Sequence, residues 1–373
     1  MLTFSVLFIC VFLANWVVLA HPGHNVAEEA AERKQFFKRS PKTIRSCAST
    51  LKARGHESAS TARRQALVNH LRVKRGLEGT PLIHRRDFTS YNFSHVSDNS
   101  DISLNSDETV LFSDNSSCTL QSETTEGPYY VKGELIRENL VDGEEGVPLF
   151  LDIQILDTAT CEPVPALYTE IWSCNSTGVY SGVVANGNGN SNDTTNLNNT
   201  ALRGIQQTDL NGVVQFNTIF PGHYTGRATH IHVLAHSLNS TTVRLNRTLL
   251  DANASSSVHV SHVGQLFFDQ SLISKVETES PYSTNSQDVT LNADDGILAG
   301  EADATDPFVE YVLLGDNVSS GIVAWISIGI DTTQDRQVSN AAAYYEDGGV
   351  ANGEGGMGLG SGGAPPDMNA TLS

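Results

Sequence analysis

After its first twenty residues the sequence has no apolar run long enough to span a membrane, so no membrane partner is expected. It carries no nicotinamide, flavin or nucleotide motif, and therefore no nucleotide or flavin cofactor is expected. No internal repeat is visible, which excludes a solenoid or propeller. Positive charge is scarce beyond position 86. The 66 residues His21 to Arg86 hold 15 Lys/Arg against 5 Asp/Glu, net +10, and the rest of the chain holds 8 against 37, net −29. The basic stretch has almost none of the interleaved aromatics that nucleic-acid binding would need, so no nucleic-acid partner is expected. Cysteine occurs five times in 373 residues.

The first twenty residues, MLTFSVLFICVFLANWVVLA, form a nearly continuous apolar stretch. They read as a secretory signal cleaved after Ala20, which predicts a soluble, exported, extracellular protein. About ten Asn-x-Ser/Thr acceptors follow, among them Asn92, Asn115, Asn175, Asn192, Asn239 and Asn317, so the chain is expected to be glycosylated. Removal of Cys10 with the signal leaves an even set of four cysteines in an oxidising compartment. Of the three possible pairings the favoured one joins Cys161 to Cys174 across neighbouring strands and Cys47 to Cys118.

The basic stretch 21–86 is a separate arm. Its segments 27–39 and 58–75 have the Ala-rich, charge-laced composition of surface helices. It docks by charge on the acidic body or, given the dibasic pairs Lys74-Arg75 and Arg85-Arg86, serves as a propeptide. Residues 87–117 are rich in Ser, Asn and Asp with no sustained period and read as a linker. The body, 118–346, shows short β-type runs at 149–156, 166–173, 213–219, 229–235, 265–268 and 322–329, separated by turn signals such as Asp209-Leu210-Asn211-Gly212. This spacing predicts an all-β core, an antiparallel β-sandwich of immunoglobulin or transthyretin type. The polar inserts 184–200 and roughly 270–308 are expected to be loops, and the Gly-rich tail 347–373 is expected to be disordered.

The chemistry concentrates in PGHYTGRATHIHV, residues 221–233. Side chains alternate along a strand, so His230 and His232 share one face while Ile231 points to the other. Two imidazoles on one strand can grip one metal. The Pro221-Gly222 turn can bring Tyr224 back beside them, and Tyr180, after a loop, can supply a second phenol. Phenolate oxygens are hard anionic donors and imidazole suits transition metals, so this set favours Fe(III) over Zn(II) or Ca(II). A trivalent cation would also ionise phenols whose usual pKa is about 10.

The segments TEGPYY (125–130), EIWSCNSTGVYSG (170–182), LRGIQQTDLNGVVQFNTIFPGHYTGRATHIHV (202–233) and GQLFFD (264–269) together resemble the intradiol ring-cleaving dioxygenases. The likeness is to secreted fungal-type members akin to the protocatechuate and catechol enzymes, and it covers roughly 118–333. It implies that Tyr180, Tyr224, His230 and His232 hold a non-haem Fe(III). It further implies that Arg227 stabilises negative charge on the bound aromatic, that Gln265 lines the substrate pocket, and that Tyr224 leaves its place when a catechol binds and can accept a proton. The implied reaction inserts both atoms of O2 into a catechol-type ring and opens it between the hydroxyls to a muconate-type diacid. Only five residues separate Tyr224 from His230, fewer than in bacterial members, which implies a shorter, more open rim. Oligomeric state does not transfer, and a homodimer stays among the options.

Two other readings stand beside this one. His21, exposed as a new N-terminus, could chelate copper. Alternatively the chain is a secreted, non-catalytic immunoglobulin-like binding module that keeps the motif as a relic.

Overall fold

The computed structural model describes residues 44–80, 118–120, 127–185, 187–190, 192–237, 241–251, 258–302, 306–345 and 347–351. The expected leader, His21, the segment 27–39, the expected linker 87–117, Arg85-Arg86, Asn92, Asn115, Asn239 and the part of the expected disordered tail from 352 to 373 lie outside them.

Among the described residues two helices come first, α1 (Ile44–Ala53) and α2 (His56–Lys74). The strands are β1 (Cys118–Leu120), β2 (Val131–Lys132), β3 (Pro148–Asp157), β4 (Tyr168–Trp172), β5 (Arg203–Gln207), β6 (Val213–Ile219), β7 (His230–His236), β8 (Thr241–Val243), β9 (Leu249–Asp251) and β10 (Val258–Phe267). Helices α3 (Gln270–Val276) and α4 (Gly296–Ala302) precede β11 (Glu310–Leu313), β12 (Ile322–Ile330), β13 (Arg336–Val338), β14 (Ala342–Tyr345) and β15 (Gly348–Ala351).

Two five-stranded sheets pack face to face as a β-sandwich. One runs β1-β12-β3-β6 with β11 also on β12, and the other runs β13-β10-β7-β4-β5. Their shared core follows from period-two patterning: Leu149, Leu151, Ile153 and Ile155 of β3 meet Ile231, Val233 and Ala235 of β7 in one buried cluster. The second sheet is antiparallel throughout. The first is mixed, because β12 lies parallel to both β3 and β1, which corrects the antiparallel expectation. β12 returns beside β3 after more than 160 residues of intervening chain, and a long return of this kind permits a parallel neighbour that a hairpin would forbid.

The inserts expected to be loops are structured. Residues 194–198 form a 3-10 helix, and 270–302 holds α3 and α4. Apolar residues anchor them: Leu272, Ile273 and Val276 enter the main core, and Leu298 packs with Ala228 and Phe267. The segment expected to be disordered from 347 begins instead with β15, paired antiparallel with β14. Asn175, an expected glycan acceptor, spends its side chain locally. Its Oδ1 accepts from the backbone N–H of Thr177 and Val179, and its Nδ2 donates to Glu144.

The basic arm is a third layer. Helix α2 covers the outer face of the mixed sheet, where Val68 and Leu71 pack with Val312, Leu314, Val323 and Trp325. Arg63 donates from Nε and Nη2 to the two oxygens of the fully buried Asp152, both at 2.9 Å, and Gln215 donates to the same carboxylate at 2.8 Å. Arg64 lies buried over the Trp325 ring at 5.3 Å. Burial alone would raise the Asp152 carboxyl, but the hydrogen bond and charge of Arg63, with Arg64 and Gln215, hold it below the usual range.

The disulfide also belongs to this layer. Cys47 of α1 is bonded to Cys161, which sits in a left-handed turn (φ 60°) after β3. This replaces both expected pairings. Cys174 lies beyond the opposite end of β4 from that turn, buried and reduced, with its thiol donating to the Gly222 carbonyl at 3.3 Å.

Two outcomes follow. Asp152→Asn should lower stability at pH 7 by about 3 kcal/mol, because it leaves buried guanidinium charge uncompensated. The gap should be complete above the unfolded carboxylate value of about 3.9 and vanish as pH falls through the lower folded value, which denaturant titrations at several pH values would show. Cleavage at the exposed Lys74-Arg75 pair should leave the arm attached through Cys47–Cys161, so the fragments should separate only on a reducing gel.

Candidate metal centre

Alternation along β7 decides what stands on the outer face of the second sheet. With Ile231, Val233 and Ala235 committed to the inter-sheet core, His230 and His232 must project the other way. Across the sheet, His232 pairs in register with Trp172 of β4 and Gln265 of β10, so these three side chains share that face. The Trp172 ring lies flat on the His232 ring, 4.7 Å away and within 1° of parallel.

The two tyrosines come from loops held together by close backbone contact. A Cβ on Gly222 would stand 2.6 Å from the carbonyl oxygens of Asn175 and Ser176, and one on Gly178 would stand 2.2 Å from that of His223. Only glycine lets the 221–227 turn press against the 175–180 loop. Tyr180 is further pinned by amides: Asn188 Oδ1 accepts from its N–H, and its carbonyl accepts from the side chains of Asn188 and Asn196, each at 2.8 Å.

The four side chains converge. The hydroxyls of Tyr180 and Tyr224 lie 3.5 and 3.4 Å from His230 Nε2, which is 3.1 Å from His232 Nε2. All four residues are at most 5% exposed. His230 Nδ1 donates to the Ala228 carbonyl at 2.6 Å, which leaves the Nε2 lone pair aimed at the cluster. Burial, aided by the charge of Arg227, drives the His230 pKa down to about 3, so the ring is a neutral donor. Burial also pushes both phenols well above their ordinary value, with Tyr224 adding to the effect on Tyr180. Two imidazole lone-pair positions 3.1 Å apart, beside two phenol oxygens, fit a shared cation with hard oxygen and imidazole donors. Among the described residues no group of three His, Cys, Asp or Glu could hold a metal. This cluster qualifies through its tyrosines.

Arg227 is buried beside the cluster. It donates from Nε to Asp295 Oδ2 at 2.9 Å and from Nη2 to Gln265 Oε1. Asp295 was not visible as a functional residue in the sequence, because it falls in a segment read as a loop. Its Oδ2 also accepts from the Ala228 N–H at 2.8 Å, while its Oδ1 caps α4 by accepting from the N–H groups of Ile297 and Leu298. Asp followed by GILAGEA is a helix-start signal that could have found it. Although burial opposes its ionisation, the charge of Arg227 and the Ala228 and Leu298 N–H groups hold the Asp295 carboxyl below its ordinary range.

Two further buried residues, Arg203 and His223, support the site. Arg203 lies fully buried behind the Tyr180 ring, 5.9 Å from its centroid, donating to the carbonyls of Ser181 and Tyr129 at 2.9 and 2.7 Å. It thereby clamps the segments bearing Tyr180 and Tyr129, whose rings are 4.8 Å apart. His223 is no ordinary loop residue. It is buried, pairs with Glu277 through Nδ1 and donates from Nε2 to the Gln287 carbonyl, both at 2.9 Å, and so anchors the Tyr224 turn to α3.

A family model described as Dioxygenase matches residues 125–282. An intradiol ring-cleavage dioxygenase from Tetranychus urticae is 29% identical, with 58% of this chain and 96% of that one covered, at a TM-score of 0.46. A second dioxygenase crystal structure is 30% identical with the same coverage and a TM-score of 0.45. Catechol 1,2-dioxygenase from an Acinetobacter species is 20% identical, covering 56% of this chain and 62% of its own, at 0.36. No curated protein matches. On these sequence matches the chain belongs to the intradiol ring-cleavage dioxygenase family. It is an intradiol ring-cleaving dioxygenase.

Gly178→Ala should disturb the centre from a distance. The backbone there sits at φ 79° and the new Cβ meets a carbonyl oxygen, so the variant should lose about 1–3 kcal/mol of stability. Urea unfolding should show the loss, and metal analysis should show reduced metal content.

Proposed function

We propose that Tyr180, Tyr224, His230 and His232 hold a non-haem Fe(III), and that the chain is an exported enzyme cleaving catechol-type aromatics between their hydroxyls. The convergence of two phenols and two imidazoles within 3.1–3.5 Å carries this reading. When bound, the ferric ion supplies the electronic activation that lets a chelated catecholate react with O2 without an organic cofactor.

The chain's own residues divide the remaining work. His230 and His232 are fixed by their strand, and Tyr180 by Asn188 and Asn196. Tyr224 sits on a turn instead and is the most exposed of the four at 5%. It is therefore the donor suited to give up its place to a substrate oxygen. Its high intrinsic proton affinity, caused by burial, suits it to take the catechol proton as it leaves. Arg227, held rigidly by Asp295 and Gln265, presents positive charge where negative charge builds on the opening ring. Export rests on the apolar leader, the sequons and the Cys47–Cys161 bridge.

The purified protein should be coloured by phenolate-to-iron charge transfer, contain iron, and consume one O2 per catechol while diacid absorbance rises. Tyr180→Phe and His232→Ala should each lose the visible band and reduce kcat/KM by roughly a hundredfold or more. A folded, colourless protein holding zinc would overturn the assignment.

A further inference from the structure

The charge around the proposed centre bears on which catechols it can take. Of the eight Lys/Arg beyond position 86, only Arg227 falls in the segments that build the site, 172–190, 222–232, 263–268 and 285–298. Its guanidinium is already neutralised by the buried Asp295 at 2.9 Å. Arg203, the other nearby cation, lies behind the Tyr180 ring, is fully buried, and is spent on two carbonyls and on Glu134, 3.8 Å away.

Carboxylates gather at the same turn. The Asp288 N–H donates to Thr225 Oγ1 and the Gly226 N–H to Thr290 Oγ1, so the 288–290 stretch lies against the turn that carries Tyr224 and Arg227. Asp288 is exposed there, and Asp294, the residue before Asp295, is exposed as well. Arg63, Arg64 and Arg72 of α2 engage the side of the mixed sheet, whereas the site is on the outward face of the other sheet.

We infer that the site selects neutral or cationic catechols over carboxylated ones, because among the described residues its one available guanidinium is already paired with Asp295 and the neighbouring segment is acidic. The inference rests on the catechol-cleaving reading above. The balance of the reaction adds a reason. A neutral catechol gains both atoms of O2, loses the bond between its oxygenated carbons, and becomes a diacid that releases two protons near neutral pH. An acidic surround is indifferent to the entering molecule and repels the leaving one.

The test uses 4-ethylcatechol, 3,4-dihydroxyphenylacetate and 3,4-dihydroxyphenethylamine, which differ mainly in a side-chain charge set away from the ring. Oxygen uptake with the full chain at ionic strengths of about 0.01 and 0.3 M spans weak to strong screening. At low salt kcat/KM for the anion should be about tenfold below that of the neutral compound. That deficit should shrink with salt, while the cation shows the opposite slope. Asp288→Asn with Asp294→Asn should flatten both slopes, and Asp295→Asn should raise the anion-to-neutral ratio. An anion used as well as the neutral compound at low salt, or a rate for it that falls as salt rises, would overturn the inference. Anaerobic binding of the three compounds, read by tryptophan fluorescence, separates the two readings. Absence of turnover and colour with the binding order intact would sink only the ferric assignment, whereas equal or tighter binding of the anion would sink the charge selection.

Discussion

The site depends on one geometric constraint, the two-residue period of β7 between two partner strands. Ile231, Val233 and Ala235 cannot leave the inter-sheet core without exposing apolar surface, so His230 and His232 cannot leave the opposite face. Register then fixes what flanks them, with Trp172 on one side of His232 and Gln265 on the other. A slip of one residue in β7 would turn both imidazoles into the core and abolish the cluster. Hydrophobic burial over the whole strand thus holds two nitrogens 3.1 Å apart, a spacing that would be unfavourable by itself.

Around that rigid strand the other donors are placed by polar bonding to structured loops. Asp295 joins several of these tasks in one carboxylate. It holds Arg227, receives the N–H of Ala228 whose carbonyl orients His230, and caps α4. Rigidity is uneven by design of the bonding: Tyr180 is tied through both its N–H and its carbonyl, while Tyr224 rides on a turn anchored one residue away by His223. The proposed ferric centre, which would keep three donors and release one, would need this asymmetry.

Much of this was legible in the sequence where the signal was local and periodic. β6 matches its expected range, 213–219, and β3, β4, β7 and β12 fall within two residues of theirs. The alternation of His230, Ile231 and His232 is the same kind of signal. β10 was seen only in its last few residues, because a register shift between Val260 and His262 breaks its alternation. What stayed hidden depended on contacts distant in sequence. The partner of Cys161 lies 114 residues away in the arm, and no spacing rule links them. Asp295 is 68 residues from Arg227. The parallel placement of β12 beside β3 likewise arises from a long return that no short window contains.

Composition left the arm either docked by charge on the acidic body or detachable as a propeptide, and its packing is that of a docked layer. A strong charge boundary at position 86 suggests a detachable segment, and the dibasic pairs strengthen that suggestion. Yet the outer face of the mixed sheet presents Phe150, Val323 and Trp325 together with the buried Asp152. Stripping off α2 would expose those apolar side chains and leave Asp152 without the guanidinium that holds its charge. A sheet buried on both faces needs a layer on each side. Here the inter-sheet core is one layer, and the helices tied down by Cys47–Cys161 are the other. The opposite charges of arm and body therefore serve packing, and the arm is part of the fold that keeps β3 in place opposite β7.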